Sequence, residues 1–504
     1  MERKTLFMKK IVIVGGGLGG LASAVTLAHA GFDVKLFEKN SHLGGKLMPV
    51  ELGNYRFDFG PNTITMPAVF NKVISQTGEK PQDYLDFLPL QSHTRNHFPD
   101  GSTFDFTSDQ DQMIQQLKTF DPPAADNYPA FIKEISRLYR YSERYFFPVT
   151  FQSWRDYLSP SLGFALLQVR PAESMHHFFQ RYFKNPLLVQ AFDRYATYIG
   201  SSPYKAPATF SMIAYLELVE GVYYTKGGNT RIAEAFAAVA RKSGAQLHTH
   251  TEVKKIITDG GEARGIELRD GTRIAADLVI LNGDLLSAFP ALVEETERPS
   301  LNDAKVAAFE PSISAFVITV ALTERLDVLK HHNVFFSSDY QKEFSDLFDA
   351  SAYSDEPTVY ISNSSYTDSS VSPDGDNLFI LVNAPALTRE GHLQIEPNAY
   401  KERIYDFLLS YGVDIRSYIA EEKIFTPTFI RDQFGSFRGA LYGPSSNRPK
   451  DAFLRPPNAS RDIRNLFFVG GSTHPGGGAP MVVLSCLNVA NKILTKFKKT
   501  PPSL

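Results

Sequence analysis

Four β-branched residues, Ile11-Val12-Ile13-Val14, run directly into Gly15-Gly16-Gly17-Leu18-Gly19-Gly20. The apolar run predicts a strand buried on both faces of a parallel sheet. Leu21 to Ala30 predicts a small-residue helix closed by Gly31, and Asp33 to Phe37 a second strand ending at Glu38. Strand, G-x-G-x-x-G (Gly15, Gly17, Gly20), helix, strand and acid, in that order, predict a dinucleotide site. Gly15 permits the tight turn, Gly17 lets main chain approach a pyrophosphate, and Gly20 lets helix and strand pack closely. The helix start offers unpaired N–H groups and a positive dipole end to phosphate. Glu38 is placed to accept hydrogen bonds from a ribose diol.

Composition narrows the remainder. The 504 residues suffice for two or three domains with buried cores. A net charge of −3 without a polybasic run gives no electrostatic footprint for nucleic acid. A single cysteine, Cys486, excludes intramolecular disulfides and multi-cysteine metal sites, and fits a reducing compartment. No apolar run approaches the roughly 18 to 20 residues that span a bilayer. The basic start at Arg3, Lys4, Lys9 and Lys10 leads into an apolar run too short for a signal peptide. The expectation is a cytoplasmic protein, peripheral on the inner face of the cell membrane. Oligomeric state is left open.

A second glycine pair, Gly44-Gly45, follows Glu38 and Lys39, and Lys46 comes next, able to meet phosphate charge. No second strand-borne G-x-G-x-x-G is present, so the nucleotide is expected to be a bound flavin rather than one of two dinucleotides. Together with Phe57-Asp58-Phe59-Gly60-Pro61, these residues resemble the phytoene-desaturase and amine-oxidase superfamily of FAD-dependent oxidoreductases. That resemblance implies an α/β fold: a Rossmann-like FAD-binding domain with an inserted mixed α+β substrate domain and a helical subdomain. It also implies that the first glycine set holds FAD pyrophosphate and the acid its adenosine ribose.

The division expected along the chain is 1–82, 221–290 and 441–504 for FAD binding, 83–220 for a helical, membrane-associating region, and 291–440 for the substrate domain. Asn96 to Phe106, around Pro99-Asp100-Gly101, predicts a hairpin. From about Asp109 to Glu220 the pattern is mainly helical and rich in aromatic residues. Its most apolar part is Tyr145 to Pro148 and Leu162 to Val169, with Trp154 between them. That part either fills its own core or lies on a bilayer to draw in a lipid-soluble substrate. Lys226-Gly227-Gly228-Asn229-Thr230 opens a helix through about Lys242, and Leu278 to Leu281 is a strand. The resemblance places adenine at the Val253 backbone. His248 and His250 alternate along a predicted strand and share a face, without a third ligand, so no metal site is expected. Phe316–Leu322, Thr358–Ser362 and Leu378–Asn383 predict strands.

Near the C-terminus Asn465 to Val469 predicts a strand. It runs into Gly470-Gly471-Ser472-Thr473-His474-Pro475-Gly476-Gly477-Gly478-Ala479-Pro480, and a helix from about Met481 and Val482 follows. In the superfamily such a segment closes over the flavin, and the helix start faces the edge that gains negative charge on reduction. Thr473 to Gly476 and Tyr198-Ile199-Gly200-Ser201-Ser202-Pro203 are similar to bacterial carotenoid desaturases and oxidases alike. The glycines flanking Thr473 to Gly476, with Ala479 to Val482, look more like the diaponeurosporene and diapolycopene oxygenases.

The implied substrate is a carotenoid or other apolar polyene, oxidised at a terminal methyl; the alternative is desaturation. His474 is the candidate general base, or else only holds the loop. Glu217 and Glu220 are expected to be solvated surface acids. An amine oxidase and a non-catalytic prenyl-binding escort protein are the readings from other classes.

Overall fold

The computed structural model describes residues 8–150, 158–392 and 395–499. Trp154 lies outside the described residues. Strand β1 (Lys10–Val14), helix α1 (Leu18–His29) and strand β2 (Asp33–Phe37) follow the sequence expectation closely. The helix starts at Leu18 rather than Leu21, so Gly19 and Gly20 are inside its first turn.

β1 is the centre of a five-stranded parallel sheet. Leu278–Leu281 pairs on one side of it and β2 on the other, and Leu466–Phe468 and Gln246–His248 form the edges. Side chains of a strand alternate between faces, and both faces of β1 are covered. Ile11 and Ile13 pack with α1, the helix Arg231–Lys242 and the C-terminal helix Ala479–Lys496. Val12 and Val14 pack with the antiparallel strands Val253–Asp259 and Glu262–Leu268. That double covering is why the run carries no alternating polar residue. The five strands come from three separate stretches of chain.

A seven-stranded sheet forms a second body. Its order is Ile419–Phe425, Ser314–Leu322, Asn377–Ala384, Val359–Asn363, His332–Phe335, Thr94–His97 and Thr103–Phe106. The expected hairpin is therefore the last two strands of this sheet, joined to it by a parallel pairing with His332–Phe335. All nine residues of Ser314–Leu322 are buried.

The helical layer includes Gln110–Phe120, Pro122–Tyr145, Pro160–Gln168, Met175–Gln180, Pro186–Asp193 and Ile213–Leu218. Its core is aromatic, with Phe131 touching Phe178, Phe179, Phe183 and Phe192 in edge-on or tilted contacts. On Pro160–Gln168 the burial is one-sided. Leu162 and Ala165 face the core, whereas Phe164 and Leu167 are 56% and 75% exposed, next to Leu158 at 67%. The expected face shared by His248 and His250 does not form. The strand ends at His248, which stacks on Phe37, and His250 turns out of it with a φ of 51°.

Candidate functional site

The first glycine turn is dictated by main chain approaching main chain. Gly15 has a φ of 101°, and a Cβ on it would lie 2.2 Å from the carbonyl oxygen of Asn282. A Cβ on Gly20 would lie 2.1 Å from the carbonyl oxygen of Gly15. Neither can carry a side chain. Gly17 bridges to Gly44, and a Cβ on Gly45 would sit 3.1 Å from the Gly17 Cα. The two glycine pairs separated in sequence are thus stacked face to face. No side chain caps α1 at Gly17, which leaves its first N–H groups facing the turn.

Glu38 is 7% exposed. Its Oε2 accepts from the Gly16 N–H at 2.7 Å and its Oε1 from the Asn40 N–H at 2.9 Å, so the acid also braces the turn. Lys39 is exposed and donates to the Asp432 carbonyl at 2.9 Å. Lys46 is half-buried and donates to the carbonyls of Ala440 and Leu441. Desolvation pulls its ammonium down to about 8, with Asp284 opposing the shift. Val253 opens its strand, buried and paired with Leu268.

The C-terminal loop meets the same place. Gly470 has a φ of 122° and Gly478 one of 100°, and Gly478 precedes a helix whose start no side chain caps. Gly471 packs beside Gly477. Pro480 is buried, and Met481 and Val482 are half-buried in the first turn. Val482 Cγ1 would lie 3.2 Å from a Cβ on Gly19, so the first turns of the two helices touch. His474 is buried, and its Nε2 bonds the Phe146 carbonyl oxygen at 2.7 Å, as a donor to a group that only accepts. Burial pushes the imidazole down to about 4, so it is neutral at pH 7. The ring thus bridges the loop to the helical layer.

Several participants carry no spacing signal. Asn282 donates to the Gly15 carbonyl at 3.0 Å. Asp58 accepts from the N–H groups of Asn229 at 2.7 Å and Thr230 at 2.9 Å, tying the segment after Gly45 to the start of a helix. Asp284 accepts from the N–H of Phe437 at 2.9 Å. Arg455 donates to the carbonyls of Tyr442 at 2.9 Å and Gly471 at 3.2 Å, and Asn458 to that of His474 at 2.8 Å. Asp58 alone had a cue, from its place in Phe57-Asp58-Phe59-Gly60-Pro61. Glu217 corrects an expectation: it is fully buried rather than solvated, because helix Ile213–Leu218 packs against Pro122–Tyr145 and Ala208–Met212 and the side chain turns towards His93. Glu220 is half-buried.

A cradle whose glycines a Cβ would fill, two uncapped helix starts in contact, and a desolvated lysine bonded only to neutral carbonyls together fit a dinucleotide with an anionic diphosphate. Fold and site define a dinucleotide-dependent oxidoreductase. The chain belongs to the flavin containing amine oxidoreductase family, whose pattern it matches over residues 18–494, and its cofactor is FAD.

It is 31% identical over 488 residues to a 4,4'-diaponeurosporene oxygenase of Staphylococcus haemolyticus, covering 96% of this chain and 97% of that one. It is 33% identical over 490 residues to a zeta-carotene-forming phytoene desaturase of Myxococcus xanthus, covering 97% and 94%. Among solved structures, cyclohexylamine oxidase from Brevibacterium oxydans shares the fold with a TM-score of 0.61 at 13% identity, over 98% and 100% of the two chains.

Gly20→Ala, by forcing the turn apart, is expected to yield protein that lacks a bound flavin's visible absorbance. Lys46→Met should weaken FAD retention by about tenfold or more, as for loss of a charged hydrogen bond. Retention unchanged in both, measured on desalted protein, would place the diphosphate elsewhere. For His474, the neutral ring contributes stability that is present above the ordinary histidine pKa of about 6.5 and is lost as pH falls towards about 4. His474→Asn should therefore unfold at lower urea than the parent at pH 7.5, with the gap narrowing steadily down to pH 4.5.

Proposed function

We propose that the protein is an FAD-dependent carotenoid oxidoreductase of carotenoid biosynthesis that oxidises a terminal methyl of a C30 polyene, in the manner of a diaponeurosporene oxygenase. The observation that carries the reading is the wall onto which the C-terminal loop opens. Met481 and Leu484, at the start of the last helix, pack into the aromatic core of the helical layer with half-buried Tyr198, Ile199, Phe210 and Tyr215. A long apolar chain can lie along such a wall, and the carotenoid-oxidising relatives span the same length.

In this reading Gly15, Gly17, Gly20, Gly45 and Lys46 hold the FAD diphosphate, and Glu38 the adenosine ribose, with Lys39 beside it. Val253 lies along the adenine. Gly470, Gly471, Pro480, Met481 and Val482 hold the flavin ring, and the chain divides into FAD and substrate domains as the sequence suggests. Bound FAD would supply two-electron oxidation by accepting a hydride equivalent, with the oxygen of the terminal product coming from O2 or water. The chain's own contribution is alignment and exclusion of water: the aromatic wall orients the polyene and strips its hydration. His474 acts as a positioning residue, its Nε2–H kept on the Phe146 carbonyl so that loop and wall stay in register.

Substrate arrives from a bilayer. No helix among the described residues is long and apolar enough to cross a membrane. The exposed face of Leu158, Phe164 and Leu167 supports peripheral attachment instead.

Co-expression with enzymes making diaponeurosporene is expected to give polar terminal aldehyde or acid products. New conjugation from a colourless C30 precursor, without oxygenated product, would make the protein a desaturase. In vesicle flotation, wild-type protein should rise with lipid, and Phe164→Glu with Leu167→Glu should stay behind with FAD retained. Equal flotation of the variant would remove this face as the attachment site.

A further inference from the structure

Between the seven-stranded sheet and the helical layer lies a buried polar cluster with no role in the cofactor cradle. Arg194 opens the 3-10 helix Arg194–Ile199, Glu217 is on Ile213–Leu218, and His93 immediately precedes Thr94–His97. Their residues are 6%, 0% and 0% exposed. Arg194 Nη2 is 3.9 Å from Glu217 Oε2, and His93 Nδ1 is 3.8 Å from the same oxygen, both beyond hydrogen-bond reach. Tyr198 donates to the other Glu217 oxygen. Tyr360 pairs with His332 Nδ1 at 2.8 Å and contacts Thr63, which joins the cluster to the Gly60–Thr63 loop.

The cluster is incomplete. Arg194 Nε, both His93 nitrogens and His332 Nε2 are buried without a hydrogen-bond partner, whereas Tyr195 and Tyr198 turn their hydroxyls to Glu217 and Tyr198 also meets Arg194. Buried polar groups in native proteins are almost always paired, so this concentration of unmet atoms in one place marks a site built for something else. A guanidinium only donates, so its complement is an acceptor oxygen. The rings of Tyr195 and Tyr198 lie 5.7 and 5.5 Å from the Arg194 Cζ, so whatever reaches it passes along aromatic surface. An apolar chain ending in a neutral carbonyl offers the Arg194 Nε–H an acceptor oxygen and, unlike a carboxylate, is not repelled by the neighbouring Glu217.

Building on the carotenoid reading above, we propose that Arg194, backed by Glu217 and Tyr195, is a receiving site for the oxygenated end of a polyene. It makes Arg194 a specificity-determining residue, selecting aldehyde-terminated chains over hydrocarbon ones. A partly oxidised product is thereby held instead of released.

The test uses FAD-loaded full-length protein, titrated with a C30 polyene hydrocarbon and with its terminal aldehyde, following the pigments' own visible bands. Wild type should bind the aldehyde at least about tenfold tighter, the scale of one charged hydrogen bond, and shift its band to longer wavelength. Arg194→Met should bring the two affinities together while leaving hydrocarbon binding in place, and Arg194→Lys should keep part of the preference. Equal affinities in wild type, without a band shift, would overturn the proposal even if the Arg194→Met variant failed to fold. A preference that survives Arg194→Met would overturn it as well. Binding of neither pigment would instead sink the carotenoid reading, and this site with it.

Discussion

Main chain touching main chain, with no room for even one methyl group, sets the geometry of the cofactor cradle. Gly15 and Gly20 close the first turn against each other and against Asn282, and Gly17 lies on Gly44 and Gly45. Because the spacing is fixed by peptide planes rather than by adjustable side chains, it transmits position rigidly. The turn fixes the start of α1, α1 fixes the first turn of the C-terminal helix through Gly19 and Val482, and that helix carries Met481 and Leu484 to the aromatic wall. Cofactor binding and substrate placement therefore share one rigid frame.

Around this frame the polar groups divide into two kinds. Those near the cradle serve mostly as braces: Glu38 on the glycine turn, Asp58 on a helix start, Arg455 and Asn458 on the C-terminal loop. Each bonds main-chain groups, as suits residues whose task is to hold backbone in an otherwise costly shape, while Arg455 Nε and Asn458 Oδ1 stay unpaired. The cluster around Arg194 is of the other kind, buried yet left with donors and acceptors unmet. One molecule thus contains both polar groups tied to backbone and a buried polar cluster tied mainly through side chains.

The parts legible in the sequence were those with a short-range rule behind them. β1, α1 and β2 followed from a run of β-branched residues, a glycine pattern and an acid. The strands at 314–322, 359–363 and 377–384 and the hairpin at 94–106 followed from local patterning. The residues not legible act over long range. Asn282, Asp284 and Arg455 reach the site from separate loops, and nothing in their neighbourhoods distinguishes them from surface residues. Glu217 was misread for the same reason. Its local stretch, close to Glu220 and a glycine, looks like a solvated helix end, and only packing against Pro122–Tyr145, distant in sequence, buries it. His250 failed differently: a backbone turn with positive φ ended the strand two residues before alternation would have placed it.

The parallel sheet has a consequence for the order in which the chain can mature. β1 is made first, but its neighbour is 267 residues away at Asp277–Leu281, and the edge strand and last helix come nearly at the end of the chain. At about 5–20 residues per second a ribosome takes about 25–100 s to deliver all of it. For most of that interval Ile11 to Val14 has one open edge, because β2 follows it closely whereas Leu278–Leu281 does not. The cradle is therefore the last part of the molecule to close. FAD can be held between the two halves of the cradle only once Leu466–Phe468 and the glycine-rich loop after it have been made.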